Sequence, residues 1–304
     1  MPSAEPDLDA SGGGSRWVTE QVALADTVLV AHHRHGAGPV IVLEAGLGLP
    51  GSFWRDVCAD LPSASAVLYY DRAGLGRSAP GVGPRSGANQ AQELRALLSR
   101  LALPPPYVLV GHSAGAFIAR IFTAAHPDEV AGIVLIDPAH EDEPARPVSE
   151  YFLNAALRLL SVLAGTRARG WLFRLAHLAV GRRWAPLDDR RLWLFAQMSR
   201  PEQLTGLLRE NQAHPQTITQ VRRAAGAGTI PDIPVRVLSA SPASRRRLWS
   251  VRRSRLDRGI ARHAALAASV PRGLHTLAAG ASHLIPLDAP RLVADLIAAV
   301  AGAS

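Results

Sequence analysis

Short runs of apolar and β-branched residues recur along the chain, with helical patterns between them. The runs fall at 28–32, 40–43, 66–70, 107–110, 131–136, 235–238 and 274–278. They are continuous rather than alternating, which is the pattern of strands buried on both faces of a sheet. Between them, 88–101 and 114–125 carry helix formers at apolar spacing. A last helix is predicted from near Ala289 to Val300, with Asp288 as its cap and Pro290 in its first turn. The first two runs are joined by a Gly-rich loop over 33–38, which suits a hairpin. Strand–helix alternation predicts an α/β fold with a mostly parallel central sheet flanked by helices.

The alternation breaks between 139 and 230. That stretch has no clear strand and shows helical patterns at 151–163, 171–180, 190–198 and 203–211. It also holds Trp171, Trp184 and Trp193. It reads as an inserted helical cap or lid, which leaves 16–138 and 231–304 as the core and 1–15 as a disordered tail.

Composition narrows the chemistry. Of 304 residues, 48% are hydrophobic and 19% charged, so the chain is neither disordered nor a coiled coil. A single cysteine, Cys58, excludes a disulfide framework and multi-cysteine metal sites. All 33 basic residues are arginine. With no lysine, a Walker phosphate loop, a Schiff base and a Ser–Lys dyad are excluded. Net charge is +8, and eight arginines fall within 245–262. No aromatic interleaving, zinc spacing or nucleic-acid motif accompanies them, so they read as a solvated helix face rather than a nucleic-acid site. No signal peptide and no apolar run fit to span a membrane is expected, which makes a cytoplasmic address the default.

Gly111-His112-Ser113-Ala114-Gly115 follows a predicted strand and opens a predicted helix. A sharp strand-to-helix turn needs small residues around the serine, and it lifts the hydroxyl above the sheet edge. A nucleophilic serine needs a base and an orienting acid. His283 follows the last strand, at the same carboxyl end as Ser113. His275 lies inside a strand pattern and reads as structural, and His112 as packing. Asp137 ends the 131–136 strand and is the expected acid, with Asp257, Glu141 and Asp142 in reserve. Ala114 and Leu47 are expected to give the backbone N–H groups of an oxyanion hole. A competing reading comes from Gly46, Gly48 and Gly51, a literal GxGxxG with Asp71 in the ribose position. It would make the protein an NAD(P)-binding oxidoreductase. Pro50 counts against it, since it removes a donor where a pyrophosphate needs one.

Taken together, Leu43-Glu44-Ala45-Gly46-Leu47-Gly48, Tyr70-Asp71-Arg72-Ala73-Gly74-Leu75-Gly76-Arg77-Ser78, the serine turn, Val134-Leu135-Ile136-Asp137-Pro138 and Ser282-His283 resemble the α/β-hydrolase superfamily. The resemblance covers 20–140 and 230–300. It implies an eight-stranded sheet with a helical cap after the sixth strand, and Asp71-Arg72 as a structural turn. Two departures stand out. Ala45-Gly46 replaces the usual His-Gly, and no carboxylate follows the seventh strand until Asp257. The expected function is a serine hydrolase of carboxylic esters or related acyl bonds, acting on a small and apolar acyl substrate without a cofactor. A non-catalytic binding protein on the same fold is the other alternative.

Overall fold

The structure is a computed structural model that describes residues 16–142, 188–226, 230–242 and 250–303. Eight strands form one sheet: β1 (Val18–Ala23), β2 (Val28–Arg34), β3 (Ala37–Glu44), β4 (Ser65–Asp71), β5 (Tyr107–His112), β6 (Val130–Ile136), β7 (Val235–Pro242) and β8 (Gly273–Gly280). Their spatial order is β1-β2-β4-β3-β5-β6-β7-β8. β1 and β2 pair antiparallel with their neighbours, and every pairing from β4 to β8 is parallel. The described helices are α1 (Arg55–Asp60), α2 (Gly87–Arg100), α3 (Gly115–Ala125), α4 (Asp189–Met198), α5 (Pro201–Gly226), α6 (Ser250–Ala268), α7 (Ile285–Asp288) and α8 (Pro290–Ala301).

The continuous apolar runs have the predicted cause. Val40 and Val42 face one core layer with Leu94, Phe117 and Phe122. Ile41 and Leu43 face the other with Val57, Val293 and Ile297. Each central strand is therefore covered by helices on both sides, and alternation along it disappears.

Two expectations are corrected. The runs at 28–32 and 40–43 do not form a hairpin, because β4 lies between them and pairs with both. The chain leaves β2 at Arg34 and enters β3 at Ala37, where Ala37 N–H donates to Ala64 O just before β4 (2.7 Å). The connection thus steps across the end of β4. The hairpin partner of β2 is β1, which carries one buried residue in six and so had no apolar run to announce it. The second correction is Asp288. It does not cap the last helix, whose N-cap Ala289 carries no side-chain hydrogen bond.

The expected helices at 190–198 and 203–211 are found as α4 and part of α5. Those at 151–163 and 171–180, with Trp171, Trp184, the tail 1–15 and Arg245 to Arg247, lie outside the described residues. Among the described residues, no helix is long and apolar enough to cross a membrane.

Candidate active site

The parallel strands end their carboxyl tips side by side, and the site is assembled there. β5 runs straight into α3 through Ser113, which has φ of 51°. That left-handed backbone is unusual for a residue with a Cβ and marks local strain. It is possible because the flanking glycines let the chain close up. A Cβ on Gly115 would lie 2.4 Å from Glu44 O, and one on Gly111 would lie 2.6 Å from Ala116 Cα. Main-chain bonds lock the turn: Ser113 N–H donates to Ile136 O and Ala139 N–H to Ser113 O, each at 3.0 Å.

Asp137 sits next door at the tip of β6, also in left-handed backbone (φ 41°). Its N–H donates to Leu238 O (2.6 Å), and its Oδ1 accepts the Ala240 N–H at the tip of β7 (2.9 Å). Oδ2 lies 2.6 Å from His283 Nδ1, and His283 Nε2 lies 3.1 Å from Ser113 Oγ. The structure therefore brings Ser113, His283 and Asp137 into one hydrogen-bonded chain. The acceptor Oδ2 requires the proton on Nδ1, which leaves the Nε2 lone pair facing the hydroxyl. Burial pushes the Asp137 carboxyl up. The hydrogen bond and charge of His283, the Ala240 amide and His263 outweigh it, and the carboxyl is held below its usual value.

The reserve acids do not reach His283. Glu141 is tied to Arg120 by two 2.6 Å hydrogen bonds, Asp142 is exposed, and Asp257 is exposed on α6. His275 is structural as expected, hydrogen-bonded to Ser239 (2.8 Å). Ser239 also meets His263 Nδ1 (2.7 Å), whose Nε2–H donates to Pro138 O (2.8 Å) and so braces the Asp137 turn.

Three supports escaped the sequence reading. His112 does more than pack: its Nε2–H donates to His283 O (2.8 Å), while its ring lies against Phe53 and His283. Burial, then the neighbouring His283, depresses its pKa to about 3, so it stays neutral and Nδ1 carries no proton. Asp288 reaches back along the His283 loop. Its Oδ2 accepts both Ser282 N–H and Ser282 Oγ–H at 2.6 Å, and its Oδ1 pairs with Arg191 of α4. Arg72, on the β4 turn, holds the loop after β3, with Nη1 and Nη2 donating to Ala45 O and Gly46 O at 2.7 Å each. His112 reaches His283 across 171 positions and Arg72 reaches the β3 loop across 26 and 27, whereas Asp288 joins a contact six positions away, at Ser282, to one 97 positions away, at Arg191.

A cavity of about 420 Å³ opens above Ser113 and His283, lined by Leu47, Leu49, Leu194, Phe195, Met198 and Leu284 among others. α4 supplies its roof. Arg191 is the charged residue at its wall, already paired with Asp188 and Asp288. Among the described residues, neither Leu47 N–H nor Ala114 N–H has a hydrogen-bond partner.

Residues 28–296 match the Alpha/beta hydrolase family. The chain belongs to that family. Among curated relatives, the protein YqjL of Bacillus subtilis (strain 168) is 34% identical over 129 residues, which cover 42% of this chain and 51% of YqjL. The chain thus spans about half the length of that relative. Among solved structures, Cfl2 from Burkholderia cenocepacia superposes with a TM-score of 0.70 at 21% identity, covering 98% of both chains. A thermophilic esterase from Thermogutta terrifontis gives 0.67 at 18%, covering 94% of this chain and 97% of its own. At these identities the superpositions establish the alpha/beta hydrolase fold and nothing finer.

Proposed function

We propose that this alpha/beta hydrolase family member is a serine hydrolase that cleaves carboxylic esters through an acyl-enzyme. The observation that supports it is the hydrogen-bonded chain Asp137–His283–Ser113 beneath an apolar cavity. Ser113 Oγ attacks the carbonyl carbon as its proton passes to His283 Nε2, and Asp137 stabilises the imidazolium. The oxyanion settles on the unpartnered N–H groups of Leu47 and Ala114. The tetrahedral adduct expels the alcohol, which takes the proton from Nε2. Water then enters, gives a proton to the same nitrogen and releases the acid from Ser113. The apolar cavity favours apolar acyl groups, and α4, from the stretch read as a cap, covers it above Ser113. The esterase among the structural neighbours is compatible with this reading.

The dinucleotide alternative is disfavoured by its own residues. The Asp71 carboxylate accepts Gly51 N–H (2.8 Å) and Arg77 N–H (2.9 Å), so it is spent inside the turn. The Gly48 amide donates to Glu210 (2.8 Å) instead of facing a phosphate.

The test is a tagged fluorophosphonate. One label per chain on Ser113, absent in Ser113→Ala, together with at least a 10⁴-fold loss of ester turnover in that variant, is the expected result. Turnover that survives in a folded Ser113→Ala variant ends the proposal.

A further inference from the structure

The oxyanion loop after β3 is not held by the sheet alone. Arg72 takes the carbonyls of Ala45 and Gly46 (2.7 Å each). In a planar trans peptide the C=O and the following N–H point opposite ways. Two carbonyls turned toward Arg72 therefore turn the Gly46 and Leu47 N–H groups away from it, on a loop whose Gly46 lies against Ser113. A Cβ on Gly46 would stand 3.3 Å from Ser113 Cβ.

Helix α5 holds the other end. Gly48 N–H donates to Glu210 Oε2 (2.8 Å), and Gly48 O accepts from Gln203 Nε2 (2.5 Å). The same Glu210 carboxylate accepts from Arg72 Nε (2.7 Å) and Nη2 (3.0 Å). Gln203 also accepts Gly76 N–H (2.6 Å), tying α5 to the β4 turn. Gly48 has φ of 66°, and a Cβ there would lie 2.5 Å from Leu207 Cδ1 of α5. Arg72, Gln203 and Glu210 are each at most 3% exposed. With Arg72 and α5 holding Ala45, Gly46 and Gly48, the Leu47 amide is left without a partner among the described residues.

We propose that Arg72, Gln203 and Glu210 are positioning residues that make the oxyanion donor at Leu47 conditional on the docking of α5. Undocked, Gly48 loses both partners and Arg72 loses Glu210, keeping Glu44 of β3 (3.5 Å) as a counter-charge, and the Leu47 peptide is free to rotate. Helix α5, from the stretch expected to form the cap, thereby decides whether the serine has an oxyanion site. The proposal rests on the serine-hydrolase reading above and adds a control to it.

The experiment compares Glu210→Gln and Gln203→Ala with Thr217→Ala. Thr217 lies on the same helix and accepts Gly87 N–H of α2 (2.9 Å), so it serves the docking interface without touching the loop. The readouts are kcat and KM on a short-chain ester, melting temperature, and Ki for an alkyl trifluoromethyl ketone. With that inhibitor Ser113 Oγ bonds to the ketone carbon, the carbonyl pair moves onto oxygen, and the hydroxyl proton goes to His283. The resulting oxyanion tests the loop directly.

Removing one oxyanion donor costs about 10²–10³ in kcat. Glu210→Gln is expected to lose about 10²-fold and Gln203→Ala about tenfold, with KM within threefold and Ki rising in proportion. Thr217→Ala should lower the melting temperature and leave kcat and Ki within twofold. If Glu210→Gln does not fold, Gln203→Ala carries the test, since it removes no charge. Wild-type kcat and Ki in a folded Gln203→Ala or Glu210→Gln variant overturn the proposal, as do losses that Thr217→Ala reproduces at equal melting temperature. Both results leave fluorophosphonate labelling of the wild type intact. A wild type that takes no label overturns the hydrolase reading and this one with it.

Discussion

Asp137→Asn gives the sharpest test of the acid. The left-handed backbone at Asp137 is one that asparagine tolerates, so the change adds no backbone strain (φ 41°). The Ala240 amide then decides how the new side chain lies. That N–H needs an acceptor at the Oδ1 position, which must be the amide oxygen. The amide NH₂ is left facing His283 Nδ1, a donor toward what was a donor. The imidazole escapes the clash by moving its proton to Nε2, which then no longer accepts from Ser113. The hydrogen bond between Asp137 and His283, at 2.6 Å, is thus replaced by one that selects the unproductive tautomer. Holding the wrong tautomer in a serine triad lowers turnover about 10⁴-fold, or about 5.5 kcal/mol of barrier. The assay is kcat/KM for p-nitrophenyl butyrate, with circular dichroism and melting temperature to show that the fold survives. Asp257→Asn, on α6, is the control and should stay within twofold. A folded Asp137→Asn within tenfold of wild type, or a crippled Asp257→Asn, refutes the assignment and returns the acid to the segment after β7.

Two further outcomes are expected. Across straight-chain p-nitrophenyl esters, kcat/KM should rise with acyl length until the cavity fills, by up to about fourfold per methylene at ~0.8 kcal/mol each; a flat series or a preference for charged acids counts against an apolar acyl pocket. Burial pushes the Glu44 carboxyl from 4.5 up to about 7 against the pull of Arg72 and Tyr70. Its folded pKa is raised, so its contribution to stability is full below about pH 4.5 and is lost as pH rises through about 7. Glu44→Gln should therefore flatten the fall in melting temperature across that window; an unchanged slope in the variant would remove Glu44 as its source.

Much of this was legible in the chain because it is local. A buried strand must be apolar on both faces, and a strand-to-helix turn around a serine must be flanked by small residues, so β3 to β7 and Ser113 announce themselves; β8 has an apolar run too, but it lies at the sheet edge with one buried residue in eight, so burial on both faces is not its cause. Asp137 and His283 could be placed because strand tips in a parallel sheet share one edge. The supports were hidden for the opposite reason. Glu210 meets Gly48 across 162 positions and His112 meets His283 across 171, and no spacing rule links such pairs. Asp288 looked like a helix cap because Pro290 follows it, yet the backbone turns at Ala289 and frees the carboxylate for Ser282. β1 pairs with solvent on one side, so its polar sequence carried no strand signal. The hairpin was misjudged because loop length alone cannot reveal that a third strand enters between two others.

The carboxylate on β6 also bears on how this scaffold tolerates change. Ser113 and Asp137 stand on adjacent strands, and main-chain bonds from Ser113 to Ile136 and from Ala139 to Ser113 fix their separation. The tip of β7 gives only a backbone amide, at Ala240. Any residue except proline supplies that amide. With Asp137 as the proposed acid, the segment that follows β7 owes no side chain to the proposed triad, and insertions, tags or a grafted binding loop there are expected to cost little activity.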